Sequence, residues 1–214
     1  TAIGEGKSYA AGKRNFKAAL AHIIKKPIAL FAILSISIGH IAMVSVMVMT
    51  PVHMAHVEVT LKIIGLVISV HVLGMYAFSP LVGSISDRIG KVRTIQFGLL
   101  ILLASAITAG TAPANDIPKL GVGLFLLGLG WSFTLIAGSA LLTSSVNPEL
   151  KTSVQGASDL VMNLAGATGG AIAGVIISAL SYGWLCLFSA IPVIALAIWS
   201  LSFSAFKTPQ VDRV

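Results

Sequence analysis

The length of its uninterrupted apolar runs constrains this chain more than any other feature. A helix needs about 20 apolar residues to cross the hydrocarbon core of a bilayer. Six runs meet that measure, at roughly 28–50, 61–82, 94–112, 119–144, 153–178 and 182–205. They are separated by Pro51 with His53 and His56, by a charged stretch at 83–93, by Pro113 to Pro118, by Asn147-Pro148-Glu149-Leu-Lys151, and by Ser181-Tyr182-Gly183. Each break holds turn formers or charges that are costly inside lipid. The runs are continuously apolar rather than alternating, which excludes a β-barrel. Only 10% of residues are charged and the mean hydropathy is +0.96, whereas a soluble domain carries about 25% charged residues. The chain is therefore read as an all-α integral membrane protein with a six-helix domain at 27–206.

The net charge of +7 does not point to nucleic acid, because the basic residues flank the spans instead of forming a patch with aromatics. If the N-terminus is cytoplasmic, twelve of the fourteen Lys and Arg fall inside, and only Lys62 and Lys119 fall outside. That asymmetry predicts a multi-pass protein of the cell membrane with both ends cytoplasmic. The opening residues 1–26 are polar and basic. They are read as a cytoplasmic linker of a longer polypeptide rather than a signal peptide. Within them, Phe16, Leu20, Ile23 and Ile24 have the spacing of an amphipathic interfacial helix, although a solvated linker helix fits as well. Residues 207–214 form a cytoplasmic tail. The single cysteine, Cys186, excludes a disulfide framework and is read as a packing residue.

Four charges and two glycines fall within the eleven residues Gly83-Ser-Ile-Ser-Asp87-Arg88-Ile-Gly90-Lys91-Val-Arg93. The pattern is Gly-x-x-x-Asp-Arg-x-Gly, then a basic residue, one spacer and a second basic residue. It resembles the signature loop of the major facilitator superfamily, which joins the second and third helices of each six-helix half. Val92 stands where many members carry a basic residue. The resemblance implies a half of that fold, built from 3+3 inverted repeats, with a small-molecule substrate bound between two halves. It also implies a conformational latch formed by Gly83, Asp87, Arg88, Gly90, Lys91 and Arg93. The alternative is that these charges only set topology. Members' N-terminal halves often carry an arginine in the fourth helix and a Gly-Pro pair in the fifth, and neither is present. That favours the C-terminal half, helices seven to twelve, with an N-terminal six-helix half as missing partner.

Polar residues inside the spans are the candidates for contact with substrate or protons. Asp159 is the one carboxylate within a predicted span, and Gln155, Asp159, Asn163, Gly166 and Gly170 follow at helical spacing. It is either a titrating or cation-binding group or a polar anchor near the cytoplasmic mouth. Gly166, Gly170 and Gly174 form a small-residue stripe for helix packing. His40 lies mid-span with Met43, Met47 and Thr50 on its face. His71 lies mid-span with Gly74 and Phe78. Each is a proton or substrate contact, or a buried histidine bonded to a neighbouring helix. His53, Met54, His56 and Glu58 lack metal-ligand spacing, and no metal or cofactor is expected. Trp131, Trp184 and Trp199 are too scattered for a cofactor box.

No Gly-x-x-x-x-Gly-Lys loop occurs, so an ion or substrate gradient would supply the energy. Together these features predict a non-enzymatic secondary active transporter, in the form of proton-coupled efflux of a hydrophobic or drug-like small molecule. The alternatives are a non-transporting structural or sensory half, and a six-span channel or membrane enzyme.

Overall fold

A backbone N–H or C=O in hydrocarbon must find its partner within the chain, and an α-helix provides one locally. The apolar runs fold accordingly. The computed structural model describes residue 21 and residues 23–204, and among these no strand occurs. The helices are α1 (Pro27–Ala55), α2 (Leu61–Tyr76), α3 (Ser79–Ile89), α4 (Lys91–Gly110), α5 (Ile117–Ser144), α6 (Lys151–Ala179, preceded by a 3-10 turn at Pro148–Leu150) and α7 (Tyr182–Ser204). They make six spans of 20 to 32 residues, α2 and α3 together forming the second.

Several boundaries differ from those read in the sequence. The first span does not stop near residue 50 but continues through Pro51 to Ala55. Its last turns are held against α7, since the hydroxyls of Thr50 and Tyr182 lie 2.8 Å apart and the His53 ring stacks on Tyr182 at 4.3 Å. The second difference is larger. The stretch 83–93 is not an open loop. Helix α3 runs to Ile89, Gly90 alone leaves helical geometry with φ 94°, and α4 begins at Lys91. Charge ends an apolar run, but it does not end a helix at a surface where water can solvate the side chains. The second span breaks instead at Ala77 and Phe78. There Pro80 cannot supply the N–H that the Tyr76 carbonyl would receive.

The expected cytoplasmic linker and amphipathic helix lie mostly outside the described residues, Phe16 and Leu20 included, as does the tail at 207–214. Of the remaining linker residues Ile23 is buried and Ile24 is exposed. Lys26 donates from Nζ to the carbonyl of Ser145 at the end of α5.

Packing shows an internal repeat. The first span lies along the fifth, the fourth lies along the second, the first and fourth cross, and the third meets the sixth. Exchanging spans one to three with four to six leaves this pattern unchanged. The corresponding spans, Pro27 with Ile117, Leu61 with Pro148 and Lys91 with Tyr182, begin 90, 87 and 91 residues apart. Three spans per repeat place the two copies in opposite orientations across the membrane, which is the 3+3 inverted arrangement.

Without a hydrophobic force between helices in lipid, close packing decides where they meet. At the α2–α5 contact, a Cβ on Gly74 would collide with the Phe125 carbonyl, and one on Gly128 with the carbonyl of His71. Gly74→Ala and Gly128→Ala are each expected to destabilise the bundle by about 1–3 kcal/mol. Gly65→Ala, facing open space, should leave thermal unfolding in nanodiscs unchanged. The same measurement separates the two glycines of the charged stretch. Gly90→Ala forces a side chain into positive φ and should cost about 1–3 kcal/mol. Gly83→Ala, whose Cβ meets nothing within 4 Å, should be neutral.

Candidate substrate site at the middle of the spans

His40, Tyr76, Trp131 and Asn163 stand at or beside the midpoints of four different spans, Pro27–Ala55, Leu61–Ile89, Ile117–Ser144 and Pro148–Ala179. Three of these side chains form one cluster. Trp131 donates its indole N–H to Nδ1 of His40 at 3.1 Å. The edge of one ring meets the face of the other where Tyr76 packs on Trp131, with centroids 6.1 Å apart and planes at 81°. Trp131 is buried while Tyr76 is 59% exposed, so the cluster is a wall with one open side. A second edge-to-face contact between the same two spans joins Phe78 and Phe125, with centroids 5.6 Å apart.

The local sequence explains the geometry. Tyr76 closes α2, and Phe78 stands in the break before Pro80. Ser79 stabilises the break by donating its hydroxyl to the Met75 carbonyl at 3.2 Å, and its hydroxyl lies 3.5 Å from that of Ser132. On the other side, Gly166 makes room for the imidazole of His40. A Cβ there would lie 2.7 Å from Nε2.

A polar face runs from this cluster along α6 toward the end bearing Arg88, Lys91 and Lys151. Asn163 and Asp159 are exposed. Gln155 donates to Oδ1 of Asp159 at 3.1 Å, and Asn163 donates to the Asp159 carbonyl at 2.7 Å. Beyond them an open groove of about 500 Å³ is lined by Thr143, Lys151, Thr152, Gln155, Gly156 and Asp159. The helical span begins at Pro148 rather than at 153, and the carboxylate nearest its middle is Asp159. It lies four to five residues from the span midpoint, about 7 Å along the axis at 1.5 Å per residue.

The face expected to run from Gln155 to Gly170 therefore divides. Its polar part is open, whereas Gly166 is buried on His40, and Gly170 and Gly174 approach Val44 and Met49 of α1. His71 stands apart from the cluster. It is fully buried between α2 and α5, where Nδ1–H donates to the Leu124 carbonyl at 2.8 Å and Nε2 has no partner. Met43 is buried, Met47 partly buried, and Thr50 is bonded to Val46 and Tyr182 at the far end of α1. At the charged end, Asp87 and Arg88 are exposed in the last turn of α3, with Lys91 and Arg93 in the first turn of α4. Among the described residues neither Asp87 nor Arg88 forms an ion pair.

Sequence reasoning missed Tyr76 and the part played by Trp131. Mid-span position was the available signal for both. Their convergence is a tertiary fact, since α2 and α5 are separated by α3 and α4 in the chain.

Comparison with known proteins agrees with this architecture. The sequence model of the Major Facilitator Superfamily matches residues 12–213. Two Bacillus subtilis (strain 168) proteins named as uncharacterized MFS-type transporters are similar. YddS is 38% identical over 180 residues, covering 83% of this chain and 41% of that protein. YdeG is 41% identical over 164 residues, covering 75% of this chain and 38% of that protein. The riboflavin transporter RfnT of Brucella anthropi is 28% identical over 84% of this chain and 44% of its own length. The chain thus spans about two fifths of the length of the relatives it matches. With six apolar helices in an inverted 3+3 arrangement and a family match over nearly its whole length, this multi-pass membrane protein belongs to the major facilitator superfamily.

Proposed function

We propose that the chain is the C-terminal half of a secondary active transporter, which exports a hydrophobic or drug-like small molecule in exchange for protons. Its partner is an N-terminal six-helix half, and substrate binds between the two near mid-membrane. The charged end is cytoplasmic by the distribution of Lys and Arg.

The observation that carries the reading is the exposure of Asp159. A carboxylate facing lipid at this depth costs roughly 3 kcal/mol. The Asp159 face is therefore turned toward a water-filled cavity shared with the other half. The aromatic wall of Tyr76 and Trp131 forms the apolar side of that cavity and packs against flat guests. The similarity to a riboflavin transporter supports this, since riboflavin is a flat aromatic compound. Asp159, His40 and Asn163 provide the polar and ionisable side, with Met47 nearby on α1. His71, locked to the Leu124 carbonyl, acts as a helix-to-helix anchor.

The exposed, unpaired Asp87 and Arg88 support the latch reading. They are free to engage the cytoplasmic end of the other half in one conformation and to release it in the other. Gly90 sets the angle between α3 and α4, while Lys91 and Arg93 hold the turn at the membrane surface.

The test uses the full-length chain in proteoliposomes with an imposed pH gradient and a panel of lipophilic fluorescent dyes. Asp159→Asn should abolish gradient-driven export while leaving the protein folded. The double variant Asp87→Asn/Arg88→Ala should slow turnover by at least about tenfold, equivalent to ~1.4 kcal/mol in the barrier. Export that survives both changes at the wild-type rate would sink the reading.

A further inference from the structure

The bond between Trp131 and His40 has a direction, and the direction has a consequence. The indole nitrogen can only donate, so Nδ1 of His40 must be the acceptor at 3.1 Å. The imidazole is therefore neutral in this arrangement, with its single proton on Nε2, on the side facing Gly166. If His40 takes up a second proton, Nδ1 becomes a donor and two N–H groups point at one another. The bond that anchors the indole is then lost, and with it the surface on which Tyr76 packs.

We propose that His40 is the coupling proton site, and that its proton and a guest packed on the Trp131 wall exclude one another. This rests on the transport reading above and supplies its missing link. Neutral His40 holds the wall together and the guest binds; protonated His40 releases Trp131 and the guest leaves. One hydrogen bond thereby makes the two ligands competitive, as proton-for-substrate exchange requires. Its reciprocal is that bound guest holds the proton off.

The surroundings suit the role. From α5 no charged side chain faces His40, since Lys119 at its start is the only one in that helix. On α6, Asn163 and Asp159 lie three and seven residues from Gly166 toward the groove. They provide a path by which water delivers the proton. The Tyr76 phenol lies beyond the Trp131 ring. On α7 the titratable groups, Tyr182 and Cys186, lie beside Thr50 and His53 at the far end of α1.

The experiment follows the indole itself. Full-length protein labelled with 15N-tryptophan is examined by NMR, and the Trp131 N–H signal is identified by its loss in Trp131→Phe. In the wild type this signal should shift in a single titration as the pH falls. In His40→Gln it should stay in place, because the amide oxygen still accepts but does not titrate. In parallel, binding of a fluorescent dye such as ethidium should weaken with falling pH in the wild type, approaching about tenfold per unit. In His40→Gln it should be independent of pH. If His40→Gln does not fold, His40→Asn takes its place.

An invariant Trp131 signal in the wild type overturns the proposal, as does the same titration in the glutamine variant. The two readings fail separately. A flat signal with intact gradient-driven export removes His40 as the proton site and leaves transport standing. A titrating signal with no export of any dye leaves the coupled pair and removes the transport reading.

Discussion

In the hydrocarbon layer every backbone N–H and C=O has to be satisfied inside the chain, and the rest of this structure depends on how that constraint is met. Helices meet it alone, so the fold question becomes where one helix is allowed to approach another. In α5 the answer is given by glycine. Gly123 lies on Ala109, Gly130 on Leu102, Gly128 on the His71 carbonyl and Gly138 on Ile36. The fourth span thus contacts three neighbours at once and becomes the hub of the bundle. Side-chain bonds across helices reinforce the approach where it is closest. Ser105 donates to the Gly123 carbonyl, His71 to that of Leu124, and Gln96 to the backbone and hydroxyl of Ser200.

Against this background the polar groups sort into two kinds. Most serine and threonine hydroxyls bond back to a carbonyl of their own helix, and a smaller set, such as Ser105, His71 and Gln96, bonds across to a neighbouring helix. The face of α6 is different, because Asp159 and Asn163 point away from the bundle at a depth where lipid would penalise them. A helix surface of that kind belongs next to water or a second domain. The mid-depth cluster joins the two kinds. His40 and Trp131 are 91 residues apart, the spacing between corresponding spans of the two repeats, and they meet where the first and fourth spans cross. The two repeats have thus placed an acceptor and a donor at related positions.

Much of the architecture was legible in the sequence. Six spans and their order follow from apolar length and from a charged stretch too short for a domain, whereas Gly83 and Gly90 looked alike and only the positive φ of Gly90 sets it apart. The reading of 83–93 as a loop was less successful. Hydropathy detects where lipid ends, and a helix in water at the membrane surface has no hydropathic signature. The same limitation shortened the first span at Pro51, because the contacts of Thr50 and His53 with Tyr182 come from the far end of the chain. His40 and His71 were indistinguishable as mid-span histidines. Packing separates them: one joins a partly open cluster, and the other is sealed against α5.

Sequence alone determined that this chain lives in a membrane as helices, which family it resembles and which few side chains are polar at depth. These are properties of local composition, since the cost of placing a residue in lipid is paid residue by residue. Tertiary structure alone decided which of those polar groups meet. The Trp131–His40 bond, the Tyr76 wall and the open face of Asp159 depend on which helices cross and which glycines let them close. That information is distributed over segments roughly 90 residues apart, where no short pattern records it.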